Sequence, residues 1–211
     1  METLECIKTR RSVRKYLDKP VEWDKITKIL DAGRLAPSAG NLQNWKFIVT
    51  RKDNIKTKLA EASFQQKWME EADVHITIVA EPEKASQFYG TRGERLYTIQ
   101  NCAAAIQNML LAANDQGLGS CWVGAFDEDL VRRALKLPEH VSPQAIITIG
   151  YADEKAEMPI KKRIEHVVYI DKWWGRGITE RTRGYTSDMI KETIKNTKKA
   201  LGRVKKRLLK Y

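Results

Sequence analysis

Hydrophobic and polar positions alternate along this chain with two different periods, and they predict helices interspersed with short strands. Ile26, Ile29, Leu30 and Gly33 fall at i, i+3, i+4 and i+7, which is the spacing of one buried helix face. We place that helix after Pro20, since proline is favoured at a helix start. Further helices are predicted over 2–10, 52–72 (one or two), 95–116 and 127–135, and strands over 47–50, 74–80, 120–123 and 143–151.

The helix predicted over 95–116 is the longest, and we expect it to be central. Its expected buried stripe consists of Leu96, Ile99, Ala103, Ile106, Leu110 and Ala113. Three consecutive alanines at 103–105 would let another helix approach closely, which favours an interfacial position. The polar, glycine-containing segment 81–93 before it is expected to be a loop that can move as a lid.

Composition narrows the class of protein. A chain of 211 residues with 42% hydrophobic content can bury the core of one domain. It has no apolar run near the ~18 residues that a membrane span needs, and we expect no signal peptide from its first residues. The three cysteines are odd in number and far apart. We therefore expect free thiols in a reducing cytoplasm, and no metal site or iron–sulfur cluster.

The net charge of +11 is concentrated at the C-terminal end. Residues 191–211 hold nine Lys or Arg and one Glu, whereas the remaining residues are nearly balanced at +3. An almost regular heptad seam runs through the same tail, formed by Ile190, Ile194, Thr197, Leu201, Val204 and Leu208. Two alternatives follow: a helix packed on a partner subunit, or a segment that binds nucleic acid or anionic lipid. We favour the first and consider nucleic-acid binding unlikely to be the function of the main body.

A second basic cluster lies near the N-terminus and has a different character. Arg10, Arg11, Ser12 and Arg14 lie within five residues and form a compact anion site. The planar guanidinium fork suits a phosphate or the polar edge of a heterocycle better than an ammonium group does. The alternative is a solvated basic patch.

The loop 36–47 joins a predicted helix to a predicted strand and carries polar groups that a rigid scaffold can aim. Pro37 fixes the backbone, Gly40 permits close approach, and Trp45 offers a flat apolar wall. Short donors and acceptors come from Ser38, Asn41 and Gln43.

Other catalytic patterns are missing from the sequence. Gly117-Leu118-Gly119 lacks the spacing of a dinucleotide-binding glycine motif, so we reject a Rossmann fold. The three histidines are scattered, and His75 is expected to lie in the core. Neither a Ser/His/Asp nor a Cys/His set can be assembled, so we predict no catalytic side chain and no metal ligands.

Together, four segments in order resemble the nitroreductase family of FMN-dependent NAD(P)H oxidoreductases. They are 10–14 (Arg-Arg-Ser-Val-Arg), 37–43 (Pro-Ser-Ala-Gly-Asn-Leu-Gln) with Trp45, 117–126 (Gly-Leu-Gly-Ser-Cys-Trp-Val-Gly-Ala-Phe) and 159–168. The resemblance implies an α+β fold with a mixed β-sheet flanked by helices, in a homodimer with FMN sites at its interface. It divides the chain into an FMN-binding domain at 1–174 and a basic, helical C-terminal extension at 175–211 that packs on the dimer.

The resemblance also implies roles for particular residues. The cluster of Arg10, Arg11, Ser12 and Arg14 would hold the FMN phosphate and the pyrimidine edge. Pro37, Ser38, Asn41 and Gln43 would reach the flavin of the partner subunit. Val123 and Gly124 would present a backbone N–H to flavin N5, and Lys161 and Lys162 would close over the phosphate. The protein would orient the flavin, which carries the chemistry itself.

The implied activity is ping-pong hydride transfer from NADH or NADPH to an electron-poor small molecule such as a nitroaromatic or a quinone. Reductive dehalogenation or flavin breakdown on the same fold, and polyanion binding through the tail, are the alternatives. Two departures from the family pattern stand out. Asn44 stands where proline is usual, and Arg163-Ile164 follows the lysine pair, which leaves open whether Lys161, Lys162 or Arg163 reaches the phosphate.

Overall fold

The computed structural model describes residues 1–175 of the chain. The chain divides into two compact units, Met1–Met158 and a second unit that begins at Pro159, and each is described by itself. The tail seam and the predicted C-terminal helix lie outside the described residues.

The helices of the first unit have the following bounds: α1 Thr3–Thr9, α2 Trp23–Arg34, α3 Asp53–Ala62, α4 Pro82–Arg92, α5 Thr98–Asp115 and α6 Glu128–Leu135. Short 3₁₀ turns lie at Ala39–Asn41 and Lys67–Glu71, and a π-helical turn at Gly93–Tyr97 joins α4 to α5. Asp127 caps α6, because its side chain accepts a hydrogen bond from the amide of Leu130 at 3.0 Å.

Four strands form one sheet: β1 Trp45–Thr50, β2 Val74–Ala80, β3 Gly119–Val123 and β4 Ser142–Gly150. Their order is β1-β2-β4-β3, and each neighbouring pair is antiparallel. A single parallel bridge, between Ser12 and Ser120, adds the N-terminal segment to the β3 edge. The predicted α+β class is confirmed.

Helices cover both faces of the sheet, because the strands present apolar side chains on both sides. On one face, α2 and α5 pack against alternate residues of β2 and β4 such as Ile76 and Ile147. On the other face, Leu59 of α3 and Val131 of α6 pack with Val123 and Ile146. His75 lies on this second face and is fully buried, as its position within a strand predicts.

Two expectations about the middle of the chain were wrong. The segment 81–93 is mostly the helix α4, and Ala85 on it is buried. The stripe on α5 also differs, since Ile99 is 55% exposed and the first turns bury Thr98, Asn101 and Cys102 instead. A pattern of apolar positions cannot predict that a polar residue is buried through its hydrogen bonds. The predicted stripe was therefore wrong in the first turns of α5.

The described part of the second unit, residues 159–175, contains a 3₁₀ turn at Ile164–His166 and a cluster of the aromatic rings of Tyr169, Trp173 and Trp174. Lys161 and Lys162 are exposed within it. Among the described residues of both units, no helix has the length and apolarity that crossing a membrane requires.

Candidate functional site

The arginine-rich segment lies along the open edge of β3. Val13 donates its amide to the carbonyl of Ser120 at 3.0 Å, next to the bridge made by Ser12. This close approach depends on Gly119, where an added Cβ would come within 2.9 Å of Val13 Cγ1. The sheet edge therefore fixes the backbone from which the arginines project.

Arg10 and Arg11 line a cavity of about 410 Å³ at this edge, together with the turn Gly117–Ser120 and Lys155. Both arginines are half-buried. Arg11 Nη1 donates to the carbonyls of Lys8 and Arg10 at 2.7 and 2.8 Å, whereas its Nε is buried without a partner among the described residues. The cavity is thus lined by three basic side chains, Arg10, Arg11 and Lys155, and by one carboxylate, that of Glu154.

Arg14 takes a different position. Its amide donates to Glu154 Oε1 at 2.6 Å, and its guanidinium carbon lies 5.8 Å from the centre of the Trp68 ring. Within residues 1–158 no carboxylate forms an ion pair with this guanidinium at 4.0 Å or less. The guanidinium of Arg14 therefore lies against an aromatic ring and is not paired with any carboxylate of residues 1–158.

The buried thiol of Cys121 lies within the field of these charges. Burial raises the pKa of Cys121, the positive charges of Arg14 and Arg10 oppose that rise, and the negative charge of Glu154 adds to it. The charges of Arg10 and Arg14 therefore both act on the β3 edge. All three cysteines are free and buried, as predicted from their spacing.

The loop between α2 and β1 has a backbone that few sequences can adopt. Gly40, Asn41 and Gln43 have φ of 55°, 57° and 47°, in the left-handed region. Gly40 is required twice over, because a Cβ there would also come within 2.5 Å of Tyr89 Oη. Ser38 Oγ accepts from the Gln43 amide at 3.0 Å, and Gln43 Nε2 donates to Asn41 Oδ1 at 3.2 Å. The predicted polar residues of the loop therefore hold one another in place.

A chain of buried amides supports the loop from below. Asn101 Oδ1 accepts from the amide of Ala39 at 2.9 Å, and Asn101 Nδ2 donates to Asn44 Oδ1 at 2.8 Å. Asn44 Nδ2 in turn donates to Thr98 Oγ1 at 3.0 Å, and that hydroxyl donates to the carbonyl of Gly93 at 2.9 Å. This amide chain, Asn44, Asn101 and Thr98, links the loop to the π-helical turn before α5.

Val123 and Gly124 lie at the end of β3. Val123 is buried and Gly124 is exposed. Gly124 borders a second cavity, of about 520 Å³, whose other lining residues include Arg95, Ile99 and Gln144. A planar ligand could approach the backbone here without meeting a side chain at position 124.

The structure brings part of the predicted set together. Arg10, Ser12 and Arg14 lie in one segment along the β3 edge, whereas no hydrogen bond among the described residues joins them to the loop 37–43. Lys161 and Lys162 belong to the second unit, so their approach to the arginines stays a prediction. Trp68 and Asn101 were missed, because they lie more than 50 residues from their partners in the sequence. The sequence did mark Asn44 as unusual, because it stands where the family usually has proline.

Comparison with known proteins identifies the family of this chain. The model of the Nitroreductase family matches residues 7–72 and 60–151. A relative from Methanothermobacter thermautotrophicus, whose name pairs NADH dehydrogenase with NAD(P)H nitroreductase, is 38% identical over 181 residues, covering 82% of this chain and 88% of that protein.

Two solved structures show the same fold. A protein from Parabacteroides distasonis with a name of the same form is 34% identical, with a TM-score of 0.72 over 81% of this chain and 98% of that one. An FMN-dependent nitroreductase from Clostridium difficile is 30% identical, with a TM-score of 0.71 over 81% and 99%. By sequence and by fold, this chain belongs to the nitroreductase family.

Proposed function

We propose that this protein is an FMN-dependent NAD(P)H oxidoreductase that reduces electron-poor small molecules, such as nitroaromatics or quinones, by a ping-pong mechanism. The observation that carries the proposal is the half-buried pair Arg10 and Arg11, whose guanidinium-bearing side chains line one cavity at the β3 edge. A phosphate group matches that chemistry, since charge-assisted hydrogen bonds from guanidinium groups to phosphate are strong and directional.

The remaining residues fit the other parts of FMN. Ser12 and Arg14 lie beside the arginine pair and offer donors to the polar edge of the ring. Gly124 leaves its backbone accessible at the end of β3. When bound, FMN supplies the redox chemistry by accepting a hydride at N5 and passing it to the acceptor. The chain's own residues bind and orient it, and we assign no side chain to a proton-transfer step.

Several of the proposed flavin-binding residues can reach a flavin only if two chains associate. The loop residues Pro37, Ser38, Asn41 and Gln43 are proposed to reach the flavin held by the partner's arginines. Large apolar side chains support a homodimer, because Leu4 and Ile7 on α1 are 47% and 51% exposed and Ile99 on α5 is 55% exposed. Burying such side chains is the usual way in which obligate dimers are stabilised.

The names of similar proteins support both the cofactor and the electron donor of the proposal. The structure from C. difficile is named FMN-dependent, and the M. thermautotrophicus protein is named for NAD(P)H. We propose the same cofactor and donor here, with Lys161 and Lys162 closing over the phosphate, and a cytoplasmic location.

The phosphate anchor can be tested by flavin fluorescence titration. Arg10→Ala removes a charge-assisted contact worth roughly 1.5–3 kcal/mol, so FMN affinity should fall by about tenfold or more. Arg34→Ala is the matched control, because Arg34 pairs with Asp31 on α2 and is exposed. Equal FMN affinity in the two variants would remove the segment 10–14 from the site.

Subunit mixing tests the interfacial arrangement. Arg10→Ala and Asn41→Ala homodimers should each bind FMN poorly. A heterodimer of the two places both changes in one site and neither in the other, so it should regain one site. Formation of heterodimers without any recovered binding would show that the loop and the arginines do not serve the same flavin.

A further inference from the structure

Trp68 lies outside the predicted site and contacts it through Arg14. Its ring lies under the guanidinium of Arg14, with 5.8 Å between the Arg14 Cζ and the ring centre. A cation over the face of tryptophan is attracted by the negative charge at the centre of the ring. Fifty-four positions separate the two residues, so this contact exists only in the folded protein.

The ring of Trp68 is itself held in place. Trp68 lies in the 3₁₀ turn Lys67–Glu71 and packs, half-buried, against the buried residues Val13, Tyr16 and Ala72. Glu71 in the same turn accepts a hydrogen bond from the amide of Tyr16 at 3.3 Å. Val13 and Tyr16, on either side of Arg14 in the chain, thus both contact the turn that carries Trp68. The aromatic face is fixed relative to the backbone that carries the guanidinium.

Arg14 is separated from the other two arginines by this arrangement. Arg10 and Arg11 line the cavity at Gly117–Ser120, whereas Arg14 does not line it and instead lies over Trp68. An extended segment of four residues spans at most about 13–14 Å, which is enough to place two anchors at different parts of one ligand. The segment 10–14 therefore offers two separate anchors for a ligand. One is the cavity lined by Arg10 and Arg11, and the other is the Arg14 guanidinium over the Trp68 ring.

We propose that Trp68 is a positioning residue that directs the Arg14 guanidinium to the isoalloxazine ring of the flavin, while Arg10 and Arg11 take the phosphate. The inference rests on the proposed use of FMN. Long arginine side chains lose rotamer freedom when they bind, and the contact with Trp68 restricts Arg14 beforehand. A positive charge beside the ring also favours the two-electron reduced form of FMN, which carries more negative charge than the oxidised form.

The test compares Trp68→Leu and Trp68→Phe with Trp23→Leu. Trp23 is a matched control, because its ring lies 5.5 Å from the guanidinium carbon of Arg51, outside the proposed site. Trp68→Leu should weaken binding of oxidised FMN and of riboflavin by a similar factor, about three- to tenfold. Trp68→Phe keeps an aromatic face and should recover part of the loss, and Trp23→Leu should change neither affinity.

Potentiometry of the bound flavin supplies a readout that a purely structural role would not change. A tenfold selective loss of affinity for the reduced form lowers the two-electron potential by about 30 mV, and we expect a shift of that order in Trp68→Leu. Arg14→Gln removes the charge and leaves the packing of Trp68 against Val13, Tyr16 and Ala72 in place, and it should lower the potential in the same direction. In the Arg14→Gln background, Trp68→Leu should have little further effect on the potential.

Three results would overturn the inference. One is weakened FMN binding with unchanged riboflavin binding in Trp68→Leu, which would place Arg14 at the phosphate. Another is an unchanged flavin reduction potential in Arg14→Gln. This result can be obtained even if Trp68→Leu fails to fold. The third is an equal effect of Trp68→Leu and Trp23→Leu. Wild-type protein that binds neither FMN nor riboflavin would instead refute the proposed function itself.

Discussion

The sharpest stability prediction concerns Asn44, which is completely buried beneath the loop. Asn44→Leu keeps the approximate size of the side chain and removes every hydrogen bond that it makes. Those are the donations to Thr98 Oγ1 at 3.0 Å and to the carbonyl of Glu81 at 3.3 Å, and the one accepted from Asn101 Nδ2 at 2.8 Å. The mutation leaves an amide N–H of Asn101 buried with no acceptor.

The expected cost follows from these contacts. A buried polar group without a partner costs about 1–3 kcal/mol, and the loss of the other two contacts adds roughly 0.5–1.5 kcal/mol, since Thr98 keeps its bond to Gly93. We therefore expect Asn44→Leu to lower the free energy of unfolding by about 2–4 kcal/mol. For a protein of this size that corresponds to a fall in Tm of roughly 5–15 °C.

The assay is urea unfolding of wild-type protein, Asn44→Leu, Asn101→Leu and the double mutant. Asn108→Leu is the control, because Asn108 is half-buried and makes one hydrogen bond, to the carbonyl of Ala32 at 3.1 Å. The double mutant removes the unpaired amide, so its loss should be smaller than the sum of the two single losses by about 0.5–3 kcal/mol. Additive losses, or an Asn44→Leu effect no larger than that of Asn108→Leu, would refute the amide chain.

Three further predictions concern His75, Gly40 and the three cysteines. Burial lowers the pKa of His75 to about 4, below the value of 6.5 in the unfolded chain, so the stability that neutral His75 provides is complete above pH 6.5 and is lost as the pH falls to 4. Wild type should lose up to roughly 3 kcal/mol more than His75→Gln over that range in pH-dependent unfolding. Gly40→Ala should cost about 1–2 kcal/mol through its left-handed backbone, and adding Tyr89→Phe should recover part of the loss by removing the hydroxyl that meets the new Cβ. The three buried cysteines should not react with Ellman's reagent at pH 8 in the folded protein, because burial shields the thiols and raises the pKa of Cys102 to about 12. All three should react in guanidinium, and full reaction of the native protein would contradict the prediction.

The sequence predicted the secondary structure best where one periodicity dominated. The strand at Val74–Ala80 matches its predicted range, because a run of β-branched residues has no competing helical reading. The start of α5 was misplaced, because the π-helical turn Gly93–Tyr97 and the buried polar residues after it interrupt the apolar pattern. Segment 81–93 was read as a loop for its polarity, although α4 is an exposed helix that buries chiefly Ala85.

The candidate site could be predicted from the sequence only as separate segments. Local residue types pointed to an anion site at 10–14 and to a polar loop at 37–43, since those properties need no knowledge of the fold. Contacts between distant positions could not be predicted in the same way. The ring of Trp68 under Arg14 and the bond from Asn101 to Asn44 depend on which surfaces the helices and strands bring together.

The bridge between Ser12 and Ser120 has a consequence for how the protein acquires its binding site. The four strands pair with one another without the N-terminal segment, yet the arginines gain their positions only when that segment closes on β3, where Ser12 and Ser120 are 108 positions apart in the sequence. Closing a loop of this length is entropically costly and depends on the sheet edge already being formed. A chain cleaved between Arg14 and α2 would keep all of its ladder pairings but lose the arginines. A ligand held by these arginines would stabilise the attached state of the first fourteen residues over the detached one by mass action.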